Sequence, residues 1–373
     1  MKGSLKIGSI FGIPIWINYT WFIIFFFVAF MLAVDYFPSG QRDWSTITYW
    51  ALGIGTSVMF FVSLLVHELA HSFVCMKKGI PVKSITLFIF GGVAKISREA
   101  DRPEAELMMA LAGPLASLTL SAVYWGLHML LLGINEPLAV MAHYLFLVNL
   151  VLAIFNMIPG YPLDGGRVFR SILWMINRNY KKATRIAAIT GRVIGYLFVA
   201  AGIFIIIYFG WWVNGMWFAF IGWFLSSAAA GSYRQLEIRD SLSGITAGDV
   251  MIRDYLSISP SLTLRQLHVY VMHTGQLFFL VTEKGSLMGS VSADSFKMVP
   301  EQMWDITTAR QIMTSAEQMQ LIQIDDDAIG ILEKMDEVGT SRAVVVDRNN
   351  GILGLITRDN MLRFAQVRSD LGT

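Results

Sequence analysis

Charge-free apolar runs dominate the first two thirds of this chain, and their lengths are the first constraint on its architecture. Trp44–Val66 is 23 residues without Asp, Glu, Lys or Arg, and Val193–Tyr233 is 41. A helix needs about 20 apolar residues to cross the hydrocarbon core of a bilayer. The pattern predicts spans near 14–34, 50–76, 105–132 and 138–158. The 41-residue run is too long for one span. It divides at Gly210-Trp-Trp-Val-Asn-Gly215, whose tryptophans suit an interface and whose Asn-Gly suits a turn. Spans near 193–210 and 214–231 follow, six in all. Beyond residue 231 the pattern changes: a linker at 232–244 leads into polar sequence with no span-length apolar run.

Charge orients the spans. Lys2 and Lys6 precede the first. Lys77, Lys78, Lys83, Lys95, Arg98 and Arg102 follow the second, and Arg167, Arg170, Arg178, Lys181, Lys182, Arg185 and Arg192 follow the fourth. The intervening loops offer only Arg42. By the positive-inside rule both termini and the polar appendage are cytoplasmic. The first apolar run lacks a convincing small-residue cleavage site, so it reads as a retained span rather than a signal peptide.

Composition agrees. The chain has 373 residues, 55% apolar and 15% charged, with a mean hydropathy of +0.55; soluble domains are about one-quarter charged. The net charge of +2 conceals +8 over residues 1–239 (18 Lys+Arg, 10 Asp+Glu) and −6 over 240–373 (11 and 17). Nothing resembles the basic, aromatic-interleaved surface of a nucleic-acid binder, so no nucleic-acid partner is expected. A single cysteine, Cys75, excludes a disulfide framework and a Cys-rich zinc module, and is best read as a small packed side chain.

Within the second span, His67-Glu68-Leu69-Ala70-His71 breaks the apolar pattern. Ionisable groups at membrane depth usually face a partner, an ion or a water-filled cavity. Positions i and i+4 share a helix face, so the two imidazoles can reach one cation, while Glu68 lies about 100° round the helix, within reach of a water at the metal. The span runs outside to inside, which puts the histidines in the cytoplasmic leaflet. A catalytic zinc site needs a third protein ligand. Asp164 is the leading candidate: it arrives at the cytoplasmic end of the fourth span, in Asn156-Met-Ile-Pro-Gly-Tyr-Pro-Leu-Asp-Gly-Gly166, where prolines and glycines break the helix. A helix-capping role for Asp164 is compatible with this. His128 and His143 are competing third ligands, placed nearer the outer ends of their spans.

HELAH in the second span, with Asn156, Pro159, Leu163, Asp164, Gly165 and Gly166 after the fourth, resembles the site-2 protease family of intramembrane zinc metalloproteases, in its prokaryotic branch with six spans and C-terminal regulatory repeats. The resemblance covers the whole chain. It implies that His67, His71 and Asp164 bind zinc, that Glu68 is the catalytic base, and that Asn156 helps to hold substrate. Ala112-Gly113-Pro114-Leu115-Ala116-Ser117 occupies the place of the family's Gly-Pro motif, where many members have Asn at the position of Ser117; no role is assigned to Ser117. The implied substrate is a transmembrane protein in a lipid bilayer. Its scissile bond must be unwound from a helix before attack. The β-rich segment Ile80–Ile96, with Thr86–Phe90 suited to a strand and Gly91-Gly92 to a turn or a close approach, offers an edge that could pair with the unwound peptide.

The polar appendage repeats itself. Thr246-Ala-Gly-Asp-Val-Met251 matches Thr308-Ala-Arg-Gln-Ile-Met313, and Leu287–Ser292 matches Ile352–Thr357, a period of about 62–65 residues. Helices are expected near 263–273 and 327–338, with strands at Phe278–Thr282 and Ala343–Asp347. The copies, 245–299 and 305–366, resemble a cystathionine-β-synthase-type (CBS) pair. Such pairs often bind adenine nucleotides through an Asp that contacts ribose; here Asn360 and Ser295 stand there, with Asp359 and Asp294 one residue early. A dimerisation or docking role, including a homodimer through the repeats, is therefore preferred to nucleotide sensing.

The expected fold is a polytopic α-helical membrane domain at 1–231, with a small β-sheet near the active site, followed by a soluble α/β CBS pair. The expected activity is hydrolysis of a peptide bond within or near a transmembrane segment, with the repeats serving regulation or dimerisation. A CBS-linked transporter would spread polar groups across the bilayer, whereas here they cluster at one depth. A catalytically silent scaffold would be expected to lack one of His67, Glu68, His71 or Asp164.

Overall fold

The computed structural model describes residues 3–40, 43–89, 91–97, 99–347 and 351–371. Lys2, Arg42, Phe90 and Arg98 lie outside the described residues, as does the side chain of Asp294. The chain forms two compact units, Met1–Tyr233 and Arg234–Thr373.

The first unit opens on strands rather than on a span. Strands β1 (Ser4–Ile10) and β2 (Ile13–Asn18) form an antiparallel hairpin. The first span therefore begins not at residue 14 but at Tyr19, where Asn18 caps helix α1 (Tyr19–Met31) by accepting from the Thr20 N–H. Ile13, Ile15 and Ile17 are buried in alternation with half-buried neighbours, the period-2 pattern of a strand. Inside an apolar run that alternation is hidden, since the residues between are apolar too. Helix α2 (Thr46–Lys77) carries the histidines. Strands β3 (Val82–Phe88) and β4 (Gly91–Ile96) follow, and the sheet runs β1-β2-β3-β4, with β2 and β3 parallel. Gly91 and Gly92 begin β4 rather than a turn, and Gly92 makes the close approach that was the other expectation, since a Cβ there would lie 2.6 Å from Glu68 Cγ. Ile17, Phe61, Leu64 and Leu87 cluster where the sheet meets α2.

Helices α3 (Pro103–Leu131), α4 (Glu136–Asn156), α5 (Asp164–Asn177), α6 (Tyr180–Phe209) and α7 (Trp212–Ser241) complete the unit. Among the described residues, six helical segments are long and apolar enough to span a membrane, α5 not being among them. The molecule is a multi-pass membrane protein. The break between the last two spans falls at Gly210, whose φ of +67° suits glycine, while Asn214-Gly215 lies inside α7. Gly215 has another use. A Cβ at Gly202 would lie 2.5 Å from the Gly215 carbonyl oxygen, and one at Gly195 would lie 2.7 Å from that of Gly222. Heptad-spaced glycines on both helices let α6 and α7 approach backbone to backbone. The chain stays helical through Ser241, across most of the stretch expected to be a linker.

The second unit contains α8 (Ala247–Val250), β5 (Ser257–Ile258), α9 (Leu264–Thr274), β6 (Phe278–Glu283), β7 (Ser286–Ser292) and α10 (Ala293–Phe296). The same order recurs, with one added strand, in α11 (Ala309–Ile312), β8 (Thr314–Ser315), β9 (Leu321–Gln323), α12 (Ala328–Val338), β10 (Arg342–Val346), β11 (Ile352–Thr357) and α13 (Arg358–Leu371). Two sheets result, β5-β6-β7-β8 and β9-β10-β11. The matched motifs begin alike: Thr246 with Asp249, and Thr308 with Gln311, each form a capping box. The copies exchange these segments. Ala247 and Val250 of the first pack with Ile322, Ile331 and Ile356 of the second, and Ala309 of the second packs with Ile258, Leu264 and Val291 of the first. Bridges Thr246–Asp327 and Thr263–Thr308 seal the exchange.

Candidate metal centre

Three polar side chains meet in the first unit. His67 and His71, one turn apart on α2, are buried, as is Asp164, the first residue of α5. The Asp164 Oδ2 lies 3.1 Å from each histidine Nε2, and the two Nε2 atoms are 3.2 Å apart. Tetrahedral ligands about 2.0 Å from a zinc ion would be separated by about 3.3 Å.

The hydrogen bonds behind the rings sharpen this fit. His71 Nδ1 lies 2.6 Å from the Met109 carbonyl oxygen, which can only accept, so Nδ1 carries the proton. A neutral His71 then turns a bare Nε2 toward the Asp164 oxygen and the His67 nitrogen. With His67 in the same tautomer, its Nδ1 donating to the Ser117 hydroxyl oxygen, three lone pairs converge, a repulsive arrangement unless a cation lies between them. His67 Nδ1 lies 2.8 Å from the Ser117 Oγ. Both rings thus have the outer partner that metal-bound imidazoles generally have. Zinc fits the donor set.

Helix α3 supplies both partners from one stripe. Met109, Gly113 and Ser117 follow at intervals of four residues, one face of a helix. Between the two partners the stripe must be bare: a Cβ at Gly113 would lie 2.2 Å from His71 Nε2 and 2.6 Å from His67 Nε2. Asp164 is fixed in a different way. Cβ atoms at Gly165 and Gly166 would each come within 2.3 Å of backbone in the turn 157–161, and one at Gly191 on α6 within 2.1 Å of the Tyr161 carbonyl oxygen. The glycines after Asp164 therefore let the turn after α4, the start of α5, and α6 close on one another. Leu163, not Asp164, is the helix cap residue, so the carboxylate is not used as an N-cap.

Glu68 stays outside the triangle. It is half-buried beneath the edge strand, where a Cβ at Gly92 would lie 2.6 Å from its Cγ. Asn156 ends α4, and its Nδ2 donates to the Leu152 carbonyl 3.0 Å away in the same helix; it does not join the three donors. The competing ligands are elsewhere. His128 and His143 pair with each other, ring centroids 5.0 Å apart, and His128 Nδ1 contacts the Ala139 carbonyl oxygen. Cys75 packs in an apolar cluster with Ile80 and Met109. Among the described residues, His67, His71 and Asp164 form the one group of three or more suitable side chains able to hold a metal ion.

Sequence reasoning missed two things. Ser117 carries no role in the sequence reading; its spacing puts it on the face of Gly113, but only the fold shows that this face meets the histidines. The other is a buried ion pair: Arg170 of α5 donates through Nε, 2.9 Å, and Nη2 to Oε1 of Glu106 on α3. Its guanidinium lies 4.9 Å from the ring centroids of both Tyr161 and Tyr180. Burial works against the Arg170 charge, yet Tyr161, Glu106 and Tyr180 outweigh it and its pKa is raised.

In the second unit a cavity of about 200 Å³ lies between the copies, lined by Asp254, Tyr255, Phe278, Arg342, Leu355 and Thr357. Arg342 stacks over Phe278 at 4.6 Å. Asn360, at the ribose-contacting position, donates through Nδ2 to the Val250 carbonyl at 2.7 Å.

Peptidase family M50 matches residues 55–141 and 132–200, and the CBS domain matches 309–366. A candidate zinc metalloprotease of Synechocystis sp. is 32% identical over 98% of this chain and 97% of its own length. A zinc metalloprotease of Methanocaldococcus jannaschii is 28% identical over 98% and 97%. A solved site-2 protease from the same archaeon is 29% identical, covering 62% of this chain and 95% of its own, with a TM-score of 0.44. The chain is therefore a member of Peptidase family M50, the site-2 protease family of zinc metalloproteases, and carries a CBS domain.

Proposed function

We propose that this metalloprotease cleaves a peptide bond within or near a transmembrane segment of a membrane-protein substrate. The observation that carries the reading is the buried triangle of donor atoms with 3.1–3.2 Å edges, formed by residues of a membrane-spanning helix and the turn that follows another. In this reading His67, His71 and Asp164 hold zinc. Zinc, when bound, supplies Lewis acidity that eases ionisation of water and polarises a peptide carbonyl. Glu68 takes the proton of the attacking water and passes it to the leaving amine. Met109 and Ser117 hold the rings so that both Nε2 atoms face inward. Strand β4, an edge of the sheet and packed against Glu68, is where an unwound substrate segment would add as a further strand. Asn156 lies at the mouth of the turn that carries Asp164 and would orient substrate.

Lys/Arg-rich segments after the second and fourth spans support cytoplasmic termini. The copies at 245–299 and 305–366 then form a cytoplasmic module for dimerisation or docking, and so for regulation. Their cavity of about 200 Å³ is smaller than the roughly 300–1,000 Å³ of typical ligand sites. Asn360 is engaged with backbone. Both observations weigh against an adenine nucleotide as the regulator. The decisive experiment compares wild type with Glu68→Gln on a single-span substrate in lipid, measuring bound zinc alongside cleavage. Full zinc with cleavage lowered about 10²- to 10⁴-fold is expected. Undiminished cleavage in the variant would remove Glu68 from the reaction, and wild-type protein unable to bind zinc would remove the site.

A further inference from the structure

We propose that the buried Glu106–Arg170 pair positions the metal centre by fixing α5, which begins with Asp164, against α3, which holds both histidines. The proposal rests on the zinc-ligand reading above. Helix α3 presents Glu106, Met109, Gly113 and Ser117 at intervals of three, four and four, a single face. The last three meet the histidine rings, and the first meets Arg170. Arg170 lies six residues after Asp164 on α5, about 9 Å along the same axis. One rigid helix therefore links the carboxylate ligand to the pair, and a second links the pair to the imidazole ligands.

The construction resists sliding in more than one direction. The Arg170 guanidinium is held in its plane by Glu106 and from its sides by Tyr161, in the turn before Asp164, and by Tyr180, at the start of α6. Arg167, one turn nearer Asp164, approaches the same Glu106 oxygen at 3.9 Å. Arg170 and Glu106 are 4% and 1% exposed. A pair placed only for stability would be a poor choice here. The second Glu106 oxygen is buried without a hydrogen-bond partner among the described residues, and well-packed apolar residues usually serve stability as well as a buried ion pair does. What an apolar contact cannot supply is a directional lock with a single register. Glu106 and Arg170 touch neither the donor atoms nor, in this reading, substrate; they act through Asp164.

The test removes both charges of the pair at once and leaves Arg167, which is 22% exposed, as the remaining charge beside them. In the Glu106→Met/Arg170→Met protein, Tm should stay within a few degrees of wild type, while the zinc Kd, measured by chelator competition in lipid nanodiscs, should rise about 10- to 100-fold, as for loss of an outer-shell partner. The kcat at saturating zinc should fall with KM for substrate unchanged. If the double variant does not fold, Arg170→Lys gives the decision: it keeps the charge but loses the fork and the stacking, and the same rise in Kd is expected. Wild-type zinc affinity and kcat in the folded double variant, or an unchanged zinc Kd in Arg170→Lys, would overturn the proposal. Absence of zinc from wild-type protein would instead overturn the ligand assignment beneath it.

Discussion

Replacing Gly113 by alanine adds one methyl group at the tightest point of the metal centre, and the outcome can be worked from distances. The new carbon would lie 2.2 Å from His71 Nε2, 2.5 Å from His71 Cε1 and 2.6 Å from His67 Nε2, where carbon needs about 3.5 Å. Something has to move by about 1 Å. The rings cannot retreat freely, because Met109 and Ser117 hold their far sides at 2.6 and 2.8 Å. Helix α3 would have to withdraw, or the rings would have to abandon those partners. Overpacking of this kind costs about 1–3 kcal/mol. Spent against zinc binding, that is roughly a 5- to 150-fold rise in zinc Kd. Gly126→Ala, on the same helix with open space round it, is the matched control: it should bind zinc normally and gain a little helix stability. Chelator competition on both variants, with thermal melts alongside, reads the two terms separately. Wild-type zinc affinity in Gly113→Ala would refute the argument, because it would mean that the histidine rings are not held where these distances place them.

Ser117→Ala should raise the zinc Kd about 10- to 100-fold without loss of fold, and Ser117→Asn should recover part of it, as competition titration would show. Asp164→Ala should abolish stoichiometric zinc, measured by elemental analysis, whereas His128→Ala and His143→Ala should leave it intact. Gly202→Leu should drive α6 from α7, lowering Tm and exposing the α6–α7 loop to protease; an unaltered melt would deny the close packing. The Asp249 carboxyl is held below its usual pKa, first by the Thr246 backbone N–H. Its capping contribution is therefore complete above the ordinary carboxylate value and is lost as pH falls through the lowered one, so an acid melt of the second unit should be shallower for Asp249→Asn.

What was legible in the sequence followed from how local each signal is. The two histidines declare a shared face through their spacing alone, and the paired Thr-initiated motifs declare a repeat. Six spans were countable because charge-free length is a property of the run itself. The β1–β2 hairpin was not legible: Ile13, Ile15 and Ile17 alternate inside an apolar segment, so period 2 and span length gave conflicting readings. The division of the 41-residue run falls within the expected stretch, at Gly210, but the Asn214-Gly215 turn does not form, since Gly215 serves packing between helices, which no local turn rule sees. Ser117 and the Glu106–Arg170 pair depend on contacts 50 and 64 positions apart along the chain.

The exchange of motifs between the CBS copies has a consequence for how the polypeptide is made. Thr246 is bridged to Asp327, and Thr263 to Thr308. Neither hydrophobic core can close until its partner's segment has left the ribosome. The first copy waits for residues near Ala309, and the motif around Ala247 stays uncovered until the strand and helix at 321–338 have been synthesised. During that interval the membrane unit's chain is already complete, while apolar CBS sequence is still exposed. A released chain truncated after residue 300 should therefore be cut readily by protease throughout 246–292, and the 373-residue chain should resist there.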